Sequence, residues 1–201
     1  MYKQVIIYAK APKLGTVKTR LAAGVGLVEA CRLYRLWSAD VIRRIARDRR
    51  WQTRIAVSPD VEAASAGWGA TWPIEISRQP QGTGDLGSRM ARTFRNGAPG
   101  PCLIVGSDIP DLQPQHLDQA FDALGGHDAV FGPADDGGYW LIGVSPRLRP
   151  HVRLDGVRWS TEHALADTIN ALGARKKIAL LPDRLADIDT EADLRAWREN
   201  L

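Results

Sequence analysis

Three separated segments of the chain carry the residue types needed to bind phosphate and metal. They are KAPKLGTVKTRL (residues 10–21), LIVGSDIPDL (residues 103–112) and GPADDGGYWLIG (residues 132–143). The first carries Lys18 and Arg20, whereas the other two supply Asp108, Asp135 and Asp136. Polyphosphate chemistry needs cationic groups that contact phosphate oxygens and a divalent ion that neutralises their charge. The combination predicts an enzyme.

The basic segment follows the first predicted strand, QVIIYA at residues 4–9. In open α/β sheets, ligands bind beyond the carboxyl ends of the strands, where Lys10 to Arg20 would lie. Gly15 would let the backbone approach a phosphate closely, while Lys18 and Arg20 would contact its oxygens. The segment lacks the GxxxxGK[ST] pattern of a P-loop. An exposed basic surface loop therefore remains the alternative interpretation.

Asp108 is the sharpest single candidate for a metal ligand. It follows the apolar run LIVGS, and Pro110 ends the strand pattern just beyond it. A carboxylate at the end of a buried strand could hold a hard cation beside phosphates bound by the first segment. The alternative is a loop aspartate that turns the chain.

Asp135 and Asp136 belong to a segment with two compatible interpretations. Asp-Gly between two strand-like runs is a hairpin signal, because glycine supplies the positive φ that tight turns need. A glycine-rich turn would also let a carboxylate approach a ligand, so either aspartate could act as a base near an acceptor hydroxyl.

Two further segments combine a structural explanation with a functional one. In QGTGDLGSRM, Gln81, Gly82 and Gly84 could approach a nucleotide closely, while Asp85 could cap a helix whose N-terminus favours anions. In DIDTEADL near the C-terminus, the aspartates lie just before a helix that opens with a capping-box variant.

Composition excludes several classes of function. The chain has 201 residues, which fits a single domain spanning residues 1–201, and a formal net charge of +4. No apolar run approaches the ~20 residues that span a bilayer, so we expect a cytoplasmic protein with no membrane partner. The arginines between residues 32 and 54 indicate a solvated helix face rather than a nucleic-acid site, although this face could equally form a homodimer surface. The two cysteines, without a metal-binding spacing, indicate buried free thiols.

Hydrophobic periodicity predicts alternating strands and helices, and therefore an α/β fold with a mainly parallel sheet. The hairpin at Asp135–Gly138 adds one antiparallel excursion. The predicted strands are 4–9, 53–57, 73–77, 102–105, 129–132, 139–144 and 177–181. The predicted helices are about 28–49, 85–94, 114–124, 161–172 and 190–197.

Five ordered motifs resemble one bacterial family over essentially the whole chain. They are KAPKLGTVKTRL, QGTGDLGSRM, VGSDIPDL, GPADDGGYWLIG and DIDTEADL. The family is the rSAM/selenodomain-associated transferase 1 group of the nucleotide-diphospho-sugar transferase superfamily. More distantly, the pattern is similar to 2-phospho-lactate guanylyltransferase and to the molybdenum-cofactor nucleotidyltransferases. The resemblance implies a GT-A-like (Rossmann-like) three-layer sandwich.

The resemblance also implies a set of site residues. Asp108 would hold Mg²⁺ or Mn²⁺, with a further ligand from Asp187 or Asp189. The nucleotide would lie near Ala9, Lys10, Gly15, Lys18, Gln81, Gly82, Gly84 and Asp85. The chain departs from the relatives in two places: the first loop lacks the glycine-rich, arginine-lysine pattern of sugar-nucleotide pyrophosphorylases, and DIPD is not the usual DxD of glycosyltransferases.

Three functions follow from these observations. The first is nucleotidyl transfer from an NTP to a small phosphorylated or acidic acceptor, with Lys18 and Arg20 on the β- and γ-phosphates. The second is glycosyl transfer from an NDP-sugar, with Asp135 or Asp136 near the acceptor hydroxyl. The third is a catalytically silent nucleotide-binding protein, which would tolerate the loss of Asp108.

Overall fold

A computed structural model of the chain describes residues 2–65 and 71–199, which fold around one seven-stranded sheet. The strands are β1 (Gln4–Lys10), β2 (Gln52–Ser58), β3 (Arg78–Pro80), β4 (Cys102–Gly106), β5 (Ala129–Pro133), β6 (Tyr139–Val144) and β7 (Ile178–Leu180). The helices are α1 (Thr19–Val25), α2 (Leu27–Ala46), α3 (Leu86–Asn96), α4 (Pro114–Ala123), α5 (Ala164–Leu172) and α6 (Glu191–Glu199).

The strand order is β3-β2-β1-β4-β6-β5-β7. β1 pairs in parallel with both β2 and β4, and β5 pairs in parallel with β7. β6 runs antiparallel to β4 and β5, and within the described ranges it is the one reversed strand. The predicted mainly parallel α/β sheet with one antiparallel excursion is therefore confirmed.

Strand alternation divides the core into two layers. On one face of the sheet, Val5 and Ile7 of β1 pack with apolar residues of α2 and α4. On the other face, Ile6 packs with Met90 and Phe94 of α3. Because successive side chains of a strand point to opposite faces, a strand buried on both sides has a continuous apolar sequence. The result is the predicted three-layer sandwich.

α1 is an element that the sequence did not predict. The chain turns into a helix at Thr19, directly after Lys18, so Arg20 lies in its first turn rather than in a loop. Gly24 lowers the helix propensity of this segment and Gly26 ends it after seven residues, so a periodicity analysis does not detect the helix. Packing compensates, since Leu21 is fully buried against α2 and α6.

The predicted strand at residues 73–77 is wrong. That segment forms a turn in which Ile76 N–H donates to the Pro73 carbonyl at 3.3 Å, and the third strand is instead β3. Proline cannot donate to a sheet ladder, and β3 has only three residues, too few for a periodic signal.

Smaller differences concern helix boundaries. α2 ends at Ala46 rather than near residue 49, and α5 begins at Ala164 rather than at residue 161. Both cysteines are buried free thiols, as expected. No helix among the described residues is long and apolar enough to cross a bilayer.

Candidate active site

The candidate site lies where the strand order reverses direction. From β1 the chain proceeds outward to β2 and β3, and then returns to the other side of β1 with β4. The loops that follow β1 and β4 therefore diverge at the same sheet edge and leave a crevice between them. The first loop leads from Lys10 to Lys18, and the second begins with Ser107 and Asp108. Two of the three segments singled out in the sequence thus meet.

A buried lysine joins three carboxylates at this crevice, and we call these four residues the Lys18 cluster. The Nζ atom of Lys18 lies 2.6 Å from Asp108 Oδ2, 2.7 Å from Asp189 Oδ1 and 3.8 Å from Asp187 Oδ2. The side chain of Lys18 is only 3% exposed, whereas that of Asp187 is 51% exposed. The cluster therefore has a closed side, formed by the ammonium, and a side open to solvent.

The charges of the cluster are unbalanced. Burial alone would lower the pKa of Lys18, but the charges of Asp108, Asp189 and Asp187 outweigh burial and raise that pKa. Partial burial, together with the charges of Asp108 and Asp189, raises the pKa of Asp187 to about 6 even though Lys18 opposes the shift. Asp189 also lies 3.5 Å from the largely exposed Arg20 guanidinium, so three carboxylates face two cations and leave one negative charge in excess, which a bound cation would relieve.

The donor set of the cluster fits a divalent cation. One carboxylate oxygen from each of Asp108, Asp187 and Asp189 lies within 4.8 Å of the other two. Mg²⁺ and Mn²⁺ prefer such hard oxygen ligands, and the excess negative charge supports the fit. The ammonium of Lys18 already contacts all three carboxylates, so a cation would share them with it or displace it.

Helix α2 holds the two loops of the crevice in place. The Tyr34 hydroxyl donates to the Lys10 carbonyl and accepts from the Lys10 N–H, both at 2.9 Å, and lies 3.1 Å from Ser107 Oγ. Arg35 donates to the Pro12 carbonyl at 2.9 and 3.1 Å. Arg44 reaches the second loop, where it donates to two backbone carbonyls at 2.7 and 2.8 Å, those of Pro110 and Leu112. Arg35 and Arg44 thus position loops, while Arg32, Arg43 and Arg47 of α2 and its end are exposed, as a solvated helix face requires.

The C-terminal carboxylates are positioned by the start of α6. Asp193 Oδ2 accepts from the backbone N–H of Thr190 at 2.7 Å and of Asp189 at 3.1 Å, while Thr190 Oγ1 accepts from the Asp193 N–H at 3.2 Å. This arrangement confirms the predicted capping-box variant. Because Asp193 takes the capping role, the carboxylate of Asp189 remains available to Lys18.

The Gln81–Asp85 segment is built from structural contacts. Gln81 is buried, donates to the Ala56 and Ala9 carbonyls at 3.0 and 3.4 Å, and accepts from Arg89 at 2.9 Å. Asp85 caps α3 by accepting from the Ser88 N–H at 2.8 Å, and hydrogen bonds from the side chain and then the backbone of Ser88 lower the pKa of Asp85.

Two glycines allow the backbone of the same segment to adopt positive φ angles. Gly82 and Gly84 have φ angles of +86° and +99°, which favour glycine, and the Gly82 N–H donates to Asp60 at 2.9 Å. These contacts align the segment with the end of β1. Ala9 at that end is buried, while Lys10 and Gly15 are exposed.

The two aspartates of the β5–β6 turn make different contacts. Asp136 accepts from the Gly138 N–H at 2.9 Å, and Asp135 lies 3.3 Å from Arg184 Nη1. Gly137 has a φ of +81°, and a Cβ added there would overlap the backbone of Glu162. The turn is therefore wedged against residues 160–164. The hairpin prediction is confirmed.

A cavity of about 300 Å³ connects this turn to the Lys18 cluster, and we call it the acidic cavity. Asp136 lines it together with Asp108 and Asp187 of the cluster. Asp135 lines a neighbouring cavity with Arg184, and Leu185 and Asp187 line both cavities. Asp136 thus shares its cavity with two metal candidates, Asp108 and Asp187, whereas Asp135 shares its cavity with Asp187 alone.

Backbone strain coincides with the site. Within the described residues, Lys18 (φ +49°) and Ser160 (φ +61°) are the non-glycine residues with positive φ. Lys18 lies at the centre of the cluster, and Ser160 lines the acidic cavity. Such conformations cost of order 1–3 kcal/mol and concentrate at functional sites.

Sequence reasoning missed several residues of the site. In the sequence, Tyr34 was recognisable only as an apolar position of a helix. Its hydroxyl, however, contacts both the loop after β1 and the loop after β4. Ser160 and Thr161 lie at the start of the predicted helix 161–172 and gave no functional signal, yet both line the acidic cavity. Asp111, the second aspartate of the DIPD motif, has a structural contact, because its carboxylate accepts from Trp197 Nε1 at 3.2 Å.

Known structures share this fold. A protein from Desulfovibrio desulfuricans G20, described as a "putative nucleotide-diphospho-sugar transferase", is 31% identical, with 100% of this chain and 88% of that chain covered and a TM-score of 0.86. 4-Diphosphocytidyl-2C-methyl-D-erythritol synthase from Anaerococcus prevotii DSM 20548 is 12% identical, with 98% of both chains covered and a TM-score of 0.62. Rv0371c from Mycobacterium tuberculosis H37Rv, in complex with manganese, is 16% identical, with 100% and 99% covered and a TM-score of 0.56. The last two likenesses show the fold alone.

The sequence itself matches one family. Residues 41–161 fit the DUF2064 family, described as "uncharacterized protein conserved in bacteria", while no protein of curated function matches the chain. Membership of the narrower rSAM/selenodomain-associated transferase 1 group stays a prediction. Since the family match spans more than half of the sequence, and a 31% identical relative aligns with all of it, the chain belongs to the DUF2064 family.

Proposed function

We propose that the protein is a metal-dependent transferase that moves a nucleotidyl group from an NTP to a small acceptor. The observation that carries this proposal is the Lys18 cluster, which places three carboxylates at the switch point of an α/β sheet and beside a cavity. Ligands of open α/β sheets bind at such a point. The 31% identical relative is described as a transferase of nucleotide-linked groups, which supports the same class.

In this proposal, the phosphates of the nucleotide contact the basic side chains that face solvent. Lys10 is exposed, and the Arg20 side chain is 72% exposed and meets Asp189 only at 3.5 Å, whereas the buried Lys18 ammonium contacts three carboxylates. We therefore assign contact with the phosphates to Lys10 and Arg20, and to the backbone near Gly15. Lys18 compensates the charge of the carboxylates and keeps them together.

Asp108, Asp187 and Asp189 would hold the metal, Mg²⁺ or Mn²⁺. When bound, the metal supplies positive charge that neutralises the phosphate oxygens during transfer. The manganese complex of Rv0371c, which shares the fold, supports a divalent ion of this kind.

In the proposed reaction, an acceptor hydroxyl attacks the α-phosphorus of the NTP. The bond between the α-phosphorus and the oxygen that bridges to the β-phosphorus breaks, and pyrophosphate leaves. The hydroxyl proton passes to a base. Asp136 is the candidate, because it lines the acidic cavity and the turn uses one of its oxygens to accept from Gly138.

Glycosyl transfer from an NDP-sugar is the second candidate. The observation that favours it is the lining of the acidic cavity, which combines carboxylates with apolar side chains and suits a sugar ring. The released product separates the two reactions: nucleotidyl transfer releases pyrophosphate, whereas glycosyl transfer releases a nucleoside diphosphate.

The test is a ligand screen by thermal unfolding, followed by product analysis with the ligands that bind. NTPs and NDP-sugars are each tested with and without Mg²⁺ or Mn²⁺. A ligand at 100 times its dissociation constant adds about 2.7 kcal/mol to the free energy of unfolding. We expect a metal-dependent stabilisation by one nucleotide that Asp108→Asn abolishes.

The matched control is Asp111→Asn, which removes a carboxylate from the same loop but outside the Lys18 cluster. This variant should bind nucleotide and metal like the wild type. Metal-dependent stabilisation that survives Asp108→Asn, or that no nucleotide produces, contradicts the proposal.

A further inference from the structure

The acidic cavity has a lining of unusual charge. Its volume of about 300 Å³ is at the lower end of small-molecule sites. Asp108, Asp136 and Asp187 line it, and no lysine, arginine or histidine does among the residues described by the structure. Cations occur close by, but each is committed elsewhere. Lys18 is held by its cluster, and Arg184 pairs with Asp135 beside the neighbouring cavity.

This lining disfavours the binding of an anionic ligand. A phosphate or carboxylate placed there would lose water without gaining a cationic partner, and it would face three carboxylates. Two of those belong to the Lys18 cluster, so a metal on the cluster would reduce their charge. Asp136 lies outside the cluster and would keep its charge.

The same lining favours hydroxyl groups attached to an apolar ring. Carboxylates accept strong hydrogen bonds from hydroxyls, and the exposed Ser160 and Thr161 add side-chain oxygens at the rim. The remaining wall is apolar and includes Leu86, Ile109 and Leu185. A polyhydroxylated ring has both a polar edge and an apolar face, and therefore complements both kinds of wall.

We propose that the acidic cavity binds an uncharged, hydroxyl-bearing group of the sugar or polyol class and rejects phosphorylated and carboxylated groups. This inference rests on the proposed transferase function and defines the substrate class of that site. It differs from the phosphorylated or acidic acceptor expected from the sequence, because that expectation had no information on the walls of the cavity. The negative groups of the substrates would then lie on the side of Lys10 and Arg20.

Ligand-observed NMR with three matched probes tests this inference. The probes are methyl α-D-glucopyranoside, glucosamine and glucose 6-phosphate, titrated in buffer free of divalent metal so that a phosphate cannot bind through a metal. We expect the neutral glycoside to bind at least tenfold more tightly than the phosphate, which corresponds to about 1.4 kcal/mol. A cavity selective for cations instead would show saturation by glucosamine alone, and this result would overturn the assignment to uncharged groups.

Two variants change the charge of the lining without disturbing the sheet. Asp136→Asn keeps an oxygen that accepts from the Gly138 N–H. It should reduce the ratio between the dissociation constants of glucose 6-phosphate and the neutral glycoside. Thr161→Arg adds a cation at an exposed rim position and should bring phosphate binding to the level of the glycoside or beyond. The matched control is Glu162→Gln, which removes an exposed carboxylate next to the rim but outside the lining, and should leave the discrimination unchanged.

The outcomes separate this inference from the transferase proposal. Equal or tighter binding of glucose 6-phosphate to the wild type, or no binding by any probe, overturns the assignment of the cavity. Neither result affects the nucleotide screen, whose readout depends on Asp108 and metal. Conversely, sugar binding without metal-dependent nucleotide binding would support the assignment of the acidic cavity and contradict the proposed transferase function.

Discussion

Two walls of the candidate site are built in different ways. The loop wall consists of the segments after β1 and β4, and α2 fastens it through Tyr34, Arg35 and Arg44. The hairpin wall consists of the β5–β6 turn and residues 158–164, which carry exposed carboxylates and hydroxyls on short turns. A wall that holds charged phosphates and metal needs fixed geometry, whereas a wall that selects an acceptor can vary its side chains. The difference predicts where substitutions affect folding and where they affect selectivity.

The largest effect should come from Lys18→Met. This change leaves three carboxylates without their buried counter-charge, and breaking a buried ion pair in this way costs about 3–5 kcal/mol of the free energy of unfolding. Denaturant unfolding measures the loss, and added Mg²⁺ or Mn²⁺ should restore part of it.

The matched control for Lys18 is Lys13→Met, which removes a half-exposed lysine of the same segment that pairs with Glu62. Its cost should stay below about 1 kcal/mol. Equal costs for the two variants would show that the Lys18 cluster is not a centre of stability.

Tyr34→Phe should destabilise the loop wall by about 1–3 kcal/mol, because the Lys10 N–H loses its buried acceptor. The corresponding change in the hairpin wall is Tyr139→Phe. It removes only a 3.4 Å contact with Thr168, whose hydroxyl also donates to the Ala164 carbonyl, and should cost less. Urea unfolding of both variants provides the comparison, and a larger loss for Tyr139→Phe would reverse our ranking of the walls.

Alkaline pH should destabilise the protein through tyrosines in both walls and beside them. Burial raises the pKa of Tyr34 and Tyr139, and raises the pKa of Tyr8 to about 12. The stabilising contribution of such groups is complete below pH 10 and declines as pH rises from 10 through the raised values. At pH 10 the loss is about 0.4 kcal/mol for each tyrosine that stays protonated in the folded state.

Unfolding free energies between pH 8 and 11, with absorbance at 295 nm to follow tyrosinate, measure this decline. Stability that is flat to pH 11 while tyrosinate accumulates in the native protein would contradict the burial of these hydroxyls.

The smallest effect on stability should come from Asp136→Asn in the hairpin wall. The side chain is exposed, and asparagine retains an oxygen that can accept from the Gly138 N–H, so the expected change stays within about 0.5 kcal/mol. The change in sugar selectivity, by contrast, should be measurable by the NMR titration. A loss of stability without a change in selectivity would assign Asp136 to folding alone.

The fold was predictable because its central strands have continuous apolar sequences. β1, β4 and β6 combine several consecutive apolar residues, and such runs identify buried strands without tertiary information. The short edge strand β3 and the glycine-containing helix α1 lack such a signal, and packing decides their structure.

The site was predictable as a set of residues but not as a geometry. The sequence indicated Lys18 and its three carboxylates, yet it placed Lys18 on phosphate. Its partner Asp189 lies 171 positions away, and no local pattern reveals such a contact. The sequence did not reveal the acidic cavity either, since its walls come from five separated segments.

The contact between Gly137 and the backbone of Glu162 has a consequence for how this family could diversify. Because a Cβ at position 137 would overlap the backbone of Glu162, a turn with a side chain at that position needs a different backbone path in residues 160–164. A homologue that acquires a different acceptor should therefore have exchanged both segments together, while retaining the register of the sheet beneath them. The two segments form one exchangeable module, and transplanting them as a pair offers a direct route to altered selectivity.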